Sequence, residues 1–274
     1  KEGEPEEKAV AEARRMIEVG KNNRETARIS IHLSDPVLWD AENPNLYIVK
    51  ATVTDQSVFR THSNPVPIQT VDEAQTLFGI RTITVDSVRG LRINGKPVKL
   101  KGGCVHHDNG LLGAVSLYEC EERKIRKLKE TGFNAIRTAH NPPSRVLVEA
   151  CDRLGMYIFD EAFDAWGMAK RTGDYSQYFE TWWEKDLTAF VKRDRVHPSV
   201  IMWSTGNEIP ERGGLNRGYL TATKLAECIR ALDPTRPVSN GICSLWSGLD
   251  DAMAKGQDQT QNAATEKEAD FWEK

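Results

Sequence analysis

Five short segments carry residue types that can do chemistry together: His106–His107–Asp108, Arg137 with His140 and Asn141, Asp160–Glu161, Asn207–Glu208, and Asn240. Glu208 stands in VIMWSTGNEIP, at the end of an apolar, strand-like run. Burial against Trp203 would raise its pKa and let it act as a general acid near neutrality. Asn207 beside it suits a hydrogen bond to a sugar hydroxyl or a similar group. The alternative for this pair is a polar strand end that caps the next helix. His106 and His107 invite a metal, but adjacent strand residues point to opposite faces, and no second His-rich segment completes three ligands. One histidine is therefore expected to face a site and the other to pack. Arg137 and His140 lie in RTAHNPP, whose prolines stop a strand and turn the chain. A cation and an imidazole there can orient a carboxylate or bind hydroxyls; equally, the arginine can satisfy structural carbonyls. Asp160 and Glu161 add carboxylates. Trp166 and Trp246, in loops after the third and fifth strands, suit stacking on the apolar face of a sugar, or plain packing.

These segments recur because strands and helices alternate after residue 90. Apolar runs at Val98–Val105, Asn134–Arg137, Met156–Phe159, Val200–Trp203 and Pro237–Ile242 predict strands. Leu117–Glu130, Ser144–Leu154, Thr181–Arg195 and Thr221–Leu232 carry apolar residues three and four apart and predict helices. Gly132 and Gly155 stand where left-handed helix caps belong. Repeated strand–helix units build a parallel sheet, doubly wound or closed as a barrel, with sites at the carboxyl ends of its strands. No Gly-rich loop follows the first strand, which removes the main support for a dinucleotide site. Each candidate group closes a strand, so a barrel with its site on that rim is the expected architecture. Before residue 90, Arg28–Leu33, Leu46–Val53 and Gly79–Val85 alternate between Pro, Asn and Asp punctuation, the pattern of an antiparallel sandwich. Glu6–Val19 is helical by propensity alone.

Composition narrows the partners. The 274 residues carry a net charge of −3, with no basic field for a polyanion, so nucleic acid is not expected. No apolar run reaches the ~20 residues of a membrane span. KEGEPEEKAV lacks the basic-then-apolar order of a signal peptide. The five cysteines form no Cys-x-x-Cys pair, fit neither a zinc site nor a disulfide framework, and lean towards a reducing compartment.

Several long motifs, in order, resemble glycoside hydrolase family 2, which includes β-galactosidases, β-glucuronidases and β-mannosidases. They are GFNAIRTAHNPPS, CDRLGMYIFDEAFDAWG and RDRVHPSVIMWSTGNE; FGIRTITVDSVRGLRINGKPVKLKGGCVHHDNGLLGA and SDPVLWDAENPNLY precede them. The resemblance covers residues 30 to 245 or so. It implies an immunoglobulin-like β-sandwich piece over 1–88 and a truncated TIM barrel over 89–274, with about five of eight β/α units. It also turns Ala9–Val19 into an expected sandwich strand. It implies a retaining β-glycosidase without organic cofactor, whose two glutamates stand ~5–5.5 Å apart. Glu208 matches the acid/base and Asn207 the partner of the 2-hydroxyl; His106, Arg137 and His140 match sugar-pocket positions, and Glu161 a rim carboxylate. The family's nucleophile closes its seventh strand, so it is expected beyond residue 274, with this chain an internal fragment. Some family members hold magnesium through a glutamate and a histidine after the third strand; DEAFDAWGM has alanine and glycine there, so no metal is expected. A β-galactosidase acting on a carbohydrate substrate is the leading expectation. A non-catalytic sugar-binding or scaffold fragment, or glucuronidase or mannosidase specificity, is the alternative. The open edges of a partial barrel predict self-association, a homo-oligomer among the forms it can take.

Overall fold

The structure, a computed structural model, describes residues 9–55, 69–213 and 215–243. Contacts divide the chain into Lys1–Val37 and Leu38–Lys274. In the first unit, residues 9–37 form neither helix nor strand, which corrects the strands expected at Ala9–Val19 and Arg28–Leu33. The physical reason is exposure: Val10, Met16, Ile17, Val19, Ile29 and Ile31 all face solvent. Alternation makes a strand only when a second strand and a core receive it.

The second unit opens with antiparallel ribbons. β1 (Tyr47–Asp55) pairs with β2 (Gln69–Phe78) from Tyr47↔Phe78 onward. A second meander joins β3 (Ile83–Asp86), β4 (Gly90–Ile93) and β5 (Lys96–Pro97). Asp86 shapes its first turn by accepting the backbone N–H groups of Val88 and Arg89 at 3.1 and 2.7 Å.

Strands then alternate with helices: β6 (Gly102–Val105), α1 (Tyr118–Glu130), β7 (Ala135–Thr138), α2 (Arg145–Leu154), β8 (Tyr157–Glu161), α3 (Ser176–Asp194), β9 (Val200–Asn207), α4 (Gly218–Leu232) and β10 (Val238–Gly241). The five strands form one sheet in chain order, and each neighbouring pair is parallel. The expected strand–helix alternation is present element by element, with β6 beginning only at Gly102.

Period-two geometry sorts the side chains of these strands. Ile136, Ile158, Val200 and Trp203 face the helices and join Ile125, Val148, Leu187, Phe190, Leu225 and Ile229 in the main core. Ala135, Tyr157 and Ile201, on the other face near the strand starts, pack with Trp39, Ala41 and Ile93. The Trp39 indole N–H donates to Asp152 O at 2.9 Å, and its ring meets Tyr157 edge-on at 5.8 Å. The segment around Trp39 and the β3–β4 hairpin thus close the amino-terminal end of the sheet, which leaves the carboxyl ends open for chemistry.

Helix ends follow local rules. Ser144 caps α2 by accepting Leu147 N–H at 3.2 Å. Gly155 ends it at φ 74°, and a β-carbon there would sit 2.3 Å from Ala41 O. Gly132 has φ 90° with open space around it. Gly132→Ala should therefore cost about 1–2 kcal/mol of backbone strain. Gly155→Ala adds a clash and should cost about 1–3 kcal/mol more. Urea midpoints of the two variants check this; equal losses would show that the Ala41 carbonyl simply yields.

Candidate active site

Glu161 is the last residue of β8, faces away from the helices and has no exposed surface. Its Oε2 accepts Arg137 Nε and Nη2 at 2.9 and 2.6 Å and Ser204 Oγ at 2.6 Å. His140 Nδ1 meets Oε1 at 2.8 Å. Strand pairing produces this convergence: Glu161 lies directly across from Ser204, and Arg137 lies across from Phe159, two residues before Glu161. A carboxylate so filled is a structural anchor that aims Arg137 and His140.

Arg137 extends the network. Its Nη2 also donates to Asn207 Oδ1 at 2.9 Å, and Asn207 Nδ2 donates to Asp164 Oδ1 at 2.9 Å. Lys170 Nζ reaches Asp164 Oδ1 at 2.8 Å and Asn207 O at 2.5 Å. Burial pushes the Asp164 carboxyl up, but the hydrogen bonds from Lys170 and Asn207 outweigh it and hold Asp164 below the usual carboxylate range. Asp164, Lys170 and Ser204 were absent from the sequence candidates. The fourfold spacing of Asp164 from Asp160 in DEAFD was a usable signal; nothing local marked Lys170.

Glu208 follows the end of β9 with φ 42°, and its N–H donates to Gly241 O at 2.6 Å. The left-handed residue breaks strand alternation just after Asn207, so two successive polar residues reach the rim. Glu208 is exposed, which corrects the expected wall of tryptophan. Trp203 faces the helices, where its indole N–H donates to Asp233 Oδ2 at 2.9 Å.

The other candidates divide. The His106 ring meets His140 edge-on at 5.1 Å, and His107 Nε2 lies 3.2 Å from Pro142 O. Asn240 is half-buried, with its Oδ1 unbonded, and stays outside the Arg137 network. Its neighbour Gly241 passes so close to Arg137 that a β-carbon would lie 2.1 Å from Nη2. Trp166 is fully buried, donates to Thr205 O at 2.8 Å and stacks on Phe179; with no open face it cannot stack on a sugar, which corrects that expectation. Trp246 lies outside the described residues. Among the described residues no group of three or more His, Cys, Asp or Glu side chains is placed to hold a metal ion. A cavity of about 560 Å³ opens beside the network, lined in part by His140, Asn141, Phe163, Asp164 and Tyr175.

Residues 84–266 match the family described as glycosyl hydrolases family 2, TIM barrel domain, and residues 1–81 match glycosyl hydrolases family 2. The chain belongs to glycosyl hydrolase family 2. Its five parallel strands are the corresponding part of that family's barrel domain, preceded by the family's sandwich domain. Within family 2, the beta-galactosidase BoGH2A of Bacteroides ovatus is 37% identical over 89% of this chain and 31% of its own length. A putative beta-glucuronidase of Formosa agariphila is 34% identical over 78% of this chain and 19% of its own. The crystal structure of a family 2 member from Bacteroides cellulosilyticus superposes with a TM-score of 0.68 at 44% identity, covering 77% of this chain and 27% of that one. The chain thus spans about a third or less of each relative.

Behind the rim, Asp160 faces the helices with no exposed surface, bonded to Thr138 Oγ1 at 3.1 Å. Burial first, and the nearby Asp194 carboxyl second, push its pKa well above the ordinary carboxylate value. A folded value above the unfolded one gives stability that is full below about pH 4 and is lost as pH rises towards the folded value. Asp160→Asn mimics the neutral acid, so its stability relative to wild type should improve with pH between 5 and 8, by up to about 1.4 kcal/mol per unit. A flat difference in urea-unfolding free energy across that range would show that Asp160 is ionised in the fold.

Proposed function

We propose that this chain carries the acid/base half of a retaining β-glycosidase acting on terminal β-linked neutral sugars, with β-galactosides first. The observation that carries the reading is the Asn207–Glu208 pair at the end of β9: Asn207 is tied into the Arg137–Glu161 network, and Glu208 is exposed on the rim. In this scheme Glu208 protonates the departing glycosidic oxygen, then takes a proton from water in the second step. The attacking carboxylate belongs to the family pattern on a later strand; Glu161, saturated with donors, is not it. Asn207 holds the 2-hydroxyl, while His106, Arg137 and His140 shape the pocket.

Relatives of both β-galactosidase and β-glucuronidase name resemble the chain. Asp164 favours the first. A rim carboxylate held ionised by Lys170 repels the carboxylate of a uronide and sets no such charge against a neutral sugar.

In the protein that carries this chain together with the attacking carboxylate, Glu208→Gln should lower hydrolysis of p-nitrophenyl β-galactoside by about 10²–10⁴-fold. The 2,4-dinitrophenyl galactoside should keep its glycosylation rate, because that leaving group needs no proton. Azide should restore turnover and yield β-galactosyl azide. Equal losses on both substrates without an azide product would remove Glu208 from the acid/base role. A folded wild-type protein that includes that later strand, binds galactose and hydrolyses nothing would favour the sugar-binding alternative.

A further inference from the structure

The Asn207 carboxamide is gripped from two sides by groups of opposite kind. Arg137 Nη2, which can only donate, lies 2.9 Å from Oδ1. Asp164 Oδ1 lies 2.9 Å from Nδ2, and an ionised carboxylate can only accept. A flipped amide would set its carbonyl against the carboxylate and its NH₂ against the guanidinium, so two charge-assisted bonds would become two repulsive contacts. Lys170 braces the arrangement from a separate loop position, reaching both Asp164 Oδ1 and the Asn207 carbonyl at 2.8 and 2.5 Å. The amide is almost wholly buried, and its backbone N–H donates to Phe163 O at 3.1 Å, so backbone and side chain are both fixed. Asp164 uses one of the two Nδ2 hydrogens. Among the described residues no acceptor is recorded for the other.

We propose that Asp164, braced by Lys170, is a positioning residue: it fixes the Asn207 carboxamide so that its second N–H is presented to the sugar hydroxyl next to the anomeric carbon. The proposal rests on the reading of Asn207 and Glu208 given above. Asp164 acts through Asn207, and its effect is confined to substrates that carry that hydroxyl.

The test uses the protein that carries this chain together with the attacking carboxylate, and compares 2,4-dinitrophenyl β-galactoside with its 2-deoxy counterpart in wild type, Asp164→Ala and Asp164→Asn. Asp164→Ala should lose roughly 10–100-fold in kcat/KM on the parent substrate and almost nothing on the 2-deoxy compound. Asp164→Asn, whose carbonyl still accepts from Asn207, should recover part of that loss. Equal losses on both substrates would mean a general structural role and overturn the proposal, as would an unchanged preference for the parent. Folding needs no separate control, since retained 2-deoxy turnover reports it. If wild type hydrolyses neither substrate, the glycosidase reading fails, and the Asn207 side-chain amide protons still decide the positioning. They should be well separated in the NMR spectrum of wild type and closer together in Asp164→Ala; unchanged separation would overturn it.

Discussion

A carboxylate with no exposed surface must be surrounded by donors, and Glu161 imposes that condition on every strand end around it. Desolvating it costs several kcal/mol, repaid only by well-aligned charged or hydrogen-bonded partners. Those partners come from two neighbouring strands and the turn after one of them: Arg137 on β7, His140 just beyond it and Ser204 on β9. Strand register is fixed by the same need. A slip of one residue in β8 would turn Glu161 towards the helices and bring Asp160 to the rim. Asp160 on the helix side has its pKa pushed up by burial and by the nearby Asp194, whereas Glu161 is suited to the rim because Arg137 is there. The order Asp-Glu at the end of β8 is thus read differently on its two faces.

Close approach around this anchor explains the small residues nearby. Gly241 has no side chain because Arg137 Nη2 occupies the space a β-carbon would need, at 2.1 Å. Gly206 is constrained from the opposite side: a β-carbon there would lie 2.9 Å from the Trp166 indole nitrogen and 3.0 Å from Ile209. Trp166 is a strut behind the TGNE turn, and its N–H secures the Thr205 carbonyl. The buried indole and the glycine are one packing solution, which holds Asn207 at a fixed distance from Arg137.

The strand–helix alternation was legible because it is written in periodicity, and the core-facing positions of β7, β8, β9 and α2 follow from it directly. The rim was legible because polar residues at strand ends have few other reasons to recur. Three things were not. β2 (QTVDEAQTLF) mixes charges into its alternation, since its residues are largely exposed, so burial leaves no pattern to read. Residues 9–37 show the reverse: their alternating segments form no strand among the described residues. Trp166 and Glu208 were each assigned the other's environment, the indole open and the carboxyl walled. Side-chain direction after a strand end depends on single backbone angles, such as φ 42° at Glu208, that no spacing rule encodes.

That inversion bears on the chemistry. A double-displacement acid/base must give a proton to a leaving group and then accept one from water, so it has to meet both substrate and solvent in one cycle. A carboxyl sealed behind tryptophan would hold its proton well but exchange it poorly. The rim separates these duties among its carboxyl groups. Glu161 is buried and saturated, so it orders Arg137 and His140; Asp164 is bound to Lys170 and Asn207, so its charge is fixed. Glu208 differs from these two in combining exposure with attachment to a rigid neighbour, since Asn207 is clamped on side chain, N–H and carbonyl. On the proposed reading, precision at the anomeric centre comes from the clamped asparagine, and proton traffic comes from the residue after it, whose backbone turn carries it out of the strand and into reach of water.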